Sequence, residues 1–159
     1  MTRKEQYNQL ILQIAELIKD ETNLVGILAN VSAALHDTFP ERFFWVGFYL
    51  QENGNMLRLG PFQGSVACYV IPFGKGVCGK AWEEGRTLIV PDVEKFPGHI
   101  ACSSLSRSEI VVPMYDDSHT FRGVLDIDST RLNDFNEDDK EGLERIIELL
   151  MAETQDLFQ

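Results

Sequence analysis

The sequence predicts an α+β domain, because helical patterns occupy both ends of the chain, five or six strand-like runs lie between them, and the connections are short enough for antiparallel hairpins. From Lys4 onward, Tyr7, Leu10, Ile11, Ile14, Leu17 and Ile18 recur at the spacing of one helical face. Leu24, Ile27, Leu28, Val31 and Leu35 mark a second helix. The run "FFWVGFYL", Phe43 to Leu50, then begins the sheet, and the turn "ENGN" followed by "MLRLGPF" makes it a hairpin. Further strands are expected in "VACYVI", "TLIVPDV", "EIVVPMY" and "RGVLDID", the last two joined by the polar turn "DDSHT". "GKGVCGKAWEEG" predicts a short helix from Gly76 that ends near Gly85. Asn136 is a candidate N-cap with acidic residues in the first turn, and Leu143, Ile146, Ile147, Leu150 and Met151 trace the closing helix.

At 159 residues with 44% apolar side chains, the chain has the size of one domain with a sizeable core. Fourteen basic against twenty-five acidic side chains give a net charge of −11, which opposes the phosphate contacts that nucleic acid requires. No apolar run is long enough to span a bilayer, and "MTRKEQYNQL" has the wrong order of polar and apolar residues for a secretory signal. A cytoplasmic protein without nucleic-acid or membrane partners is expected. Three cysteines, Cys68, Cys78 and Cys102, are an odd number for a secreted disulfide framework.

Chemistry-bearing residues cluster in the second half of the chain. "GKGVCG" matches the letters of a dinucleotide fingerprint, but its helix is too short for a crossover and Asp92 comes too early, so no nucleotide cofactor is expected. The glycines instead allow a tight bend and a close approach to a small ligand or to the Cys102 loop. Cys68, Cys78, His99 and Cys102 are four possible zinc ligands, yet only His99 and Cys102 have the close spacing of a structural pair; no metal is expected. A redox site asks for a thiolate, a second thiol within reach and an acid, with His99 and Arg107 near Cys102 to favour the thiolate. Glu109 opens one strand, and Asp126 and Asp128 in "LDID" share one face of the next, with Leu125 and Ile127 on the other. Alternation alone makes that a solvated face; the alternative is a pocket of carboxylates for a cationic group, one of them an acid. Trp45, Phe48, Tyr49 and Trp82 are core candidates, and those alternating toward the carboxylates would wall such a pocket.

The stretches "GPFQGSVACYVIPFGKGVCGKAW", "IVPDVEKFPGHIACSSLSRSEIVVP" and "GVLDIDS" resemble the free methionine-(R)-sulfoxide reductases, a family built on the GAF fold. The resemblance covers essentially the whole chain. It implies a single GAF domain over residues 1–159, a mostly antiparallel six-stranded sheet with the N- and C-terminal helices on one face, and a homodimer. It also implies thiol-dependent reduction of the free amino acid's R sulfoxide, with thioredoxin as reductant and no cofactor. By the same resemblance Cys102 is the attacking nucleophile, Cys68 the resolving thiol, and Cys78 a third cysteine that either attacks or relays toward thioredoxin. Glu109, Asp126 and Asp128 correspond to substrate-binding carboxylates and Trp45 to an aromatic wall. Ser103 stands where the family pattern has an aspartate. The rival expectation is a GAF sensor module that binds a small molecule without turnover.

Overall fold

The computed structural model describes residues 1–100 and 102–158. Helix α1 spans Arg3–Ile18, with Thr2 capping it by accepting a hydrogen bond from the Glu5 amide, and buries Tyr7, Leu10, Ile14 and Ile18 along one face. Helix α2 is Leu24–Thr38. Strands β1 (Trp45–Glu52) and β2 (Met56–Gln63) form the first hairpin. Its turn places Asn53 and Gly54 at positive φ, a conformation these two residue types adopt at least cost. Strand β3 is Val70–Pro72, helix α3 Gly76–Glu84, and β4 Leu88–Val90. Gly85 closes α3 in the left-handed conformation, as the sequence predicts. Strands β5 (Ser108–Tyr115) and β6 (Phe121–Ser129) form the second hairpin, and α4 is Glu137–Thr154. Asn136 and Asp139 make a reciprocal capping box at its start.

The six strands form one sheet in the order β3-β2-β1-β6-β5-β4, every neighbouring pair antiparallel. Helices α1, α2 and α4 cover one face. Their apolar stripes meet Val46, Phe48, Ile110, Val112, Leu125 and Ile127 in the larger core. Helix α3 and the long connections cover the other face, where Val77, Cys78 and Ala81 pack with Trp45, Tyr49, Val111 and Val124. The strand expected over "VACYVI" is shorter than its β-rich composition suggests: only Val70–Pro72 is strand, and Cys68 is drawn away into a disulfide.

A buried ion cluster locks the helical layer. Asp139 accepts hydrogen bonds from Tyr7 Oη at 2.6 Å, Arg3 Nη1 at 2.8 Å and Arg42 Nη2 at 3.1 Å, so α1, the α2–β1 connection and α4 meet at one carboxylate. Arg42 also lies over the rings of Phe39, Phe43 and Phe135.

Candidate active site

Strand β6 sorts its residues by parity. Leu125 and Ile127 enter the helix-side core, while Asp126 and Asp128 face α3. Across the ladder Asp128 stands opposite Trp45 on β1 and Glu109 on β5, and Asp126 opposite Gly47 and Val111. Three carboxylates and an indole therefore share one patch of the sheet, beneath a pocket that opens to solvent. Glu109 and Asp126 are each only 6% exposed, and Asp128 is half-buried. The solvated face that alternation predicts does not exist here, because α3 and the cysteine-bearing connections cover it.

The aromatic wall follows the same parity. Trp45 and Tyr49 face the pocket while Phe48 between them enters the helix-side core. Trp45 stacks with Tyr49 and with Phe62, ring centroids 5.8 and 5.1 Å away, and its Nε1 donates to the Ser65 carbonyl at 3.0 Å. Trp82 takes no part; it stacks on Phe121 away from the pocket lining.

Cys68 and Cys102 are joined in a disulfide at the pocket rim, their Cα atoms 5.6 Å apart across 34 residues of chain. Cys102 is exposed and Cys68 half-buried. Cys78, on the first turn of α3, is a free and buried thiol. The zinc set weighed from sequence is thus not assembled, since two of its sulfurs are bonded to each other. Gly76 starts α3 at φ +62°, and a Cβ there would stand 3.1 Å from the Ile100 side chain. The glycine lets the loop ahead of Cys102 lie directly on the helix carrying Cys78. Ser103, where the family pattern has an aspartate, itself braces the loop: its Oγ accepts from the Leu105 amide at 3.2 Å.

Burial dominates the electrostatics. It raises the Glu109 carboxyl well above its ordinary value, reinforced by the charges of Asp126 and Asp128. Burial likewise raises Asp128 well above, and raises Asp126. The Cys78 thiol is pushed up by burial and then by the neighbouring carboxylates, so it stays protonated. His99 Nε2 lies 3.9 Å from Glu109 Oε1, and partial burial lowers its pKa. Arg107, a sequence candidate for activating Cys102, is exposed and lies outside the pocket lining. The pocket also uses Phe44, Val66, Ile100 and Ser106, which no sequence pattern singled out, since each sits in an irregular connection.

The comparisons agree with this geometry. The GAF domain family model matches residues 21–152. "GAF domain-containing protein A" of Dictyostelium discoideum is 56% identical over 149 residues, 94% of this chain and 92% of that protein. "Free methionine-R-sulfoxide reductase" of Escherichia coli (strain K12) is 42% identical over 147 residues, 92% of this chain and 87% of that protein. The crystal structure of free methionine-R-sulfoxide reductase from Neisseria meningitidis, in complex with its substrate, superposes with a TM-score of 0.93 at 46% identity, covering 98% of this chain and 92% of that one. With its disulfide at the rim of a carboxylate-lined pocket and relatives of this identity along nearly its full length, the chain belongs to the free methionine-(R)-sulfoxide reductases, GAF-domain proteins of the oxidoreductase class.

Proposed function

We propose that the chain reduces free L-methionine-(R)-sulfoxide to L-methionine, with Cys102 as nucleophile, Cys68 as resolving thiol and thioredoxin as the reductant. The observation that carries this reading is the Cys68–Cys102 disulfide on the rim of a pocket holding two buried carboxyl groups, a half-buried third and Trp45. The Cys102 thiolate attacks the sulfoxide sulfur while a carboxylic acid protonates the oxygen. Glu109 suits that role, because burial and the neighbouring Asp126 and Asp128 charges raise its pKa and favour its protonated form. The S–O bond breaks with transfer of oxygen to Cys102, which becomes a sulfenic acid as methionine leaves. Cys68 then displaces water from that sulfenic acid, forming the disulfide, and dithiol exchange with thioredoxin restores both thiols. Asp126 and Asp128 hold the substrate ammonium, and the face of Trp45 receives its methyl group. Cys78 stays outside the disulfide, as a proton source or relay. His99, beside Glu109, steers the loop that carries Cys102.

The reading extends to a cytoplasmic homodimer of a single domain, residues 1–159. Leu12 on α1 and Val25 on α2 are exposed apolar residues, 71% and 68%, that a second copy would cover, and light scattering measures the association. Thiol titration tests the chemistry. Fully reduced protein given an excess of the R sulfoxide, without reductant, loses two of its three thiols and releases one methionine per chain. A sensor module that binds without turnover loses none, and that result overturns the proposal.

A further inference from the structure

One buried thiol takes no part in the disulfide. Cys78 is 3% exposed, and its Sγ forms a cluster with one carboxylate oxygen each of Glu109 and Asp126, all within 4.8 Å of one another. The three residues stand on α3, β5 and β6, so separate regular elements hold the cluster in place. Among the described residues, Asp126 Oδ1 is buried with no hydrogen-bond partner. A buried carboxylate oxygen without a donor is costly, which marks it as a position for a positively charged ligand. His99 Nε2 borders the cluster, 3.9 Å from Glu109 Oε1.

We propose that Cys78, Glu109 and Asp126 form a binding site for a single thiophilic divalent cation of the Zn²⁺ or Cd²⁺ kind. An ammonium group satisfies the two carboxylates but offers the sulfur nothing. Hard cations such as Mg²⁺ and Ca²⁺ take oxygen ligands and leave a thiol unused. Zn²⁺ accepts sulfur and oxygen together at about 2.0–2.3 Å, with donors about 3.5 Å apart in a tetrahedral site, so the cluster closes by about an ångström around it. On binding, the Cys78 S–H proton and the proton held by the Glu109 carboxyl both pass to solvent as the metal–sulfur and metal–oxygen bonds form, and no electron moves. The cation's two charges offset the thiolate and carboxylates, whose ionised forms are otherwise penalised by burial. The cation shares Asp126 with the proposed seat of the substrate ammonium and Glu109 with the proposed proton donor, so it is a reversible inhibitor. Because Cys78 is outside the disulfide, its thiol is free in the oxidised protein.

The test uses the oxidised protein without reductant, in which Cys78 is the free thiol. Cd²⁺ is titrated in and the ultraviolet thiolate-to-cadmium charge-transfer band is followed. One equivalent is expected to saturate the band in the wild type, and Cys78→Ala to abolish it. Asp126→Asn and Glu109→Gln keep the thiol but weaken Cd²⁺ binding by more than about tenfold. Absence of the band in the wild type, an equal band in Cys78→Ala, or unchanged affinity in both carboxyl variants overturns the site. Near-ultraviolet circular dichroism reports the folding of each variant, and if Cys78→Ala does not fold the carboxyl variants decide. No turnover enters the measurement, so its failure leaves the reductase proposal standing, and failure of that proposal leaves this result standing.

Discussion

Tyr49 Oη donates a 3.1 Å hydrogen bond to the carbonyl oxygen of Cys68, so a central strand holds the loop that carries one half of the disulfide. The same ring stacks on Trp45, which makes Tyr49 the joint between the pocket wall and the redox rim. Tyr49→Phe keeps the stacking and loses the tether, at about 1 kcal/mol of stability. Methionine release in a single turnover is expected to keep its rate while closure of the disulfide slows. Quenched-flow trapping with a sulfenic-acid reagent measures both, and equal trapping in mutant and wild type removes the tethering role.

The proposed order of the cysteines is tested one substitution at a time. Cys102→Ser is expected to form no methionine, whereas Cys68→Ser forms about one per chain and stalls as a sulfenic acid. Cys78→Ser retains the first turnover. Burst amplitudes decide the matter: a full burst in Cys102→Ser with none in Cys78→Ser transfers the nucleophile to Cys78.

In the proposed function the carboxylates divide between binding and proton donation. Asp126→Asn or Asp128→Asn is expected to cost about 2–5 kcal/mol of substrate binding and raise KM, while Glu109→Gln mainly lowers kcat. Acetylating the substrate nitrogen removes the charge they receive and should lower kcat/KM by roughly 10⁴-fold. Comparable kcat/KM on free and acetylated substrate would show that these groups do not grip an ammonium.

Buried carboxyls also set a pH dependence of stability. Glu109 and Asp128 have folded-state pKa values raised by burial, so the folded protein binds more protons than the unfolded chain. Their contribution is fully present below the ordinary carboxyl values and is lost as pH rises through the raised ones. His99 has a lowered pKa and works in the opposite sense. The expected outcome is that Glu109→Gln combined with Asp128→Asn raises Tm at about pH 8 more than at about pH 5. Scanning calorimetry across that range tests it, and parallel curves for mutant and wild type refute it.

The helical layer depends on a different acid. Asp139→Ala leaves the nearly buried Arg42 with Asp134 as its remaining acidic partner and frees the hydroxyl of Tyr7, at an expected cost of about 3 kcal/mol. Tyr7→Phe costs about 1 kcal/mol. Urea unfolding of the two variants checks the ratio.

Much of the fold was legible because periodicity reports burial of regular elements. The five helical residues from Leu24 to Leu35, the Asn136 cap and the "LDID" alternation each stand where the pattern predicts. Irregular chain left no such signal. Nothing in "VACYVI" says that Cys68 leaves the sheet edge for Cys102, since β-propensity describes a residue's comfort in a strand and a disulfide overrides it. Alternation gave Asp126 and Asp128 a common face but not its cover, which comes from α3 and a connection far away in sequence. The close approach of Gly76 to Ile100 is equally a tertiary fact.

Strand β6 is written in two interleaved alphabets, one read by the hydrophobic core and one by the pocket. Substitution at Asp126 or Asp128 edits the second message and leaves Leu125 and Ile127 intact. Deleting a single residue within β6 shifts the reading frame: carboxylates enter the oil and leucine enters the pocket, so fold and site are lost together. The site is therefore open to change letter by letter, while the length of the strand that carries it is closed to change.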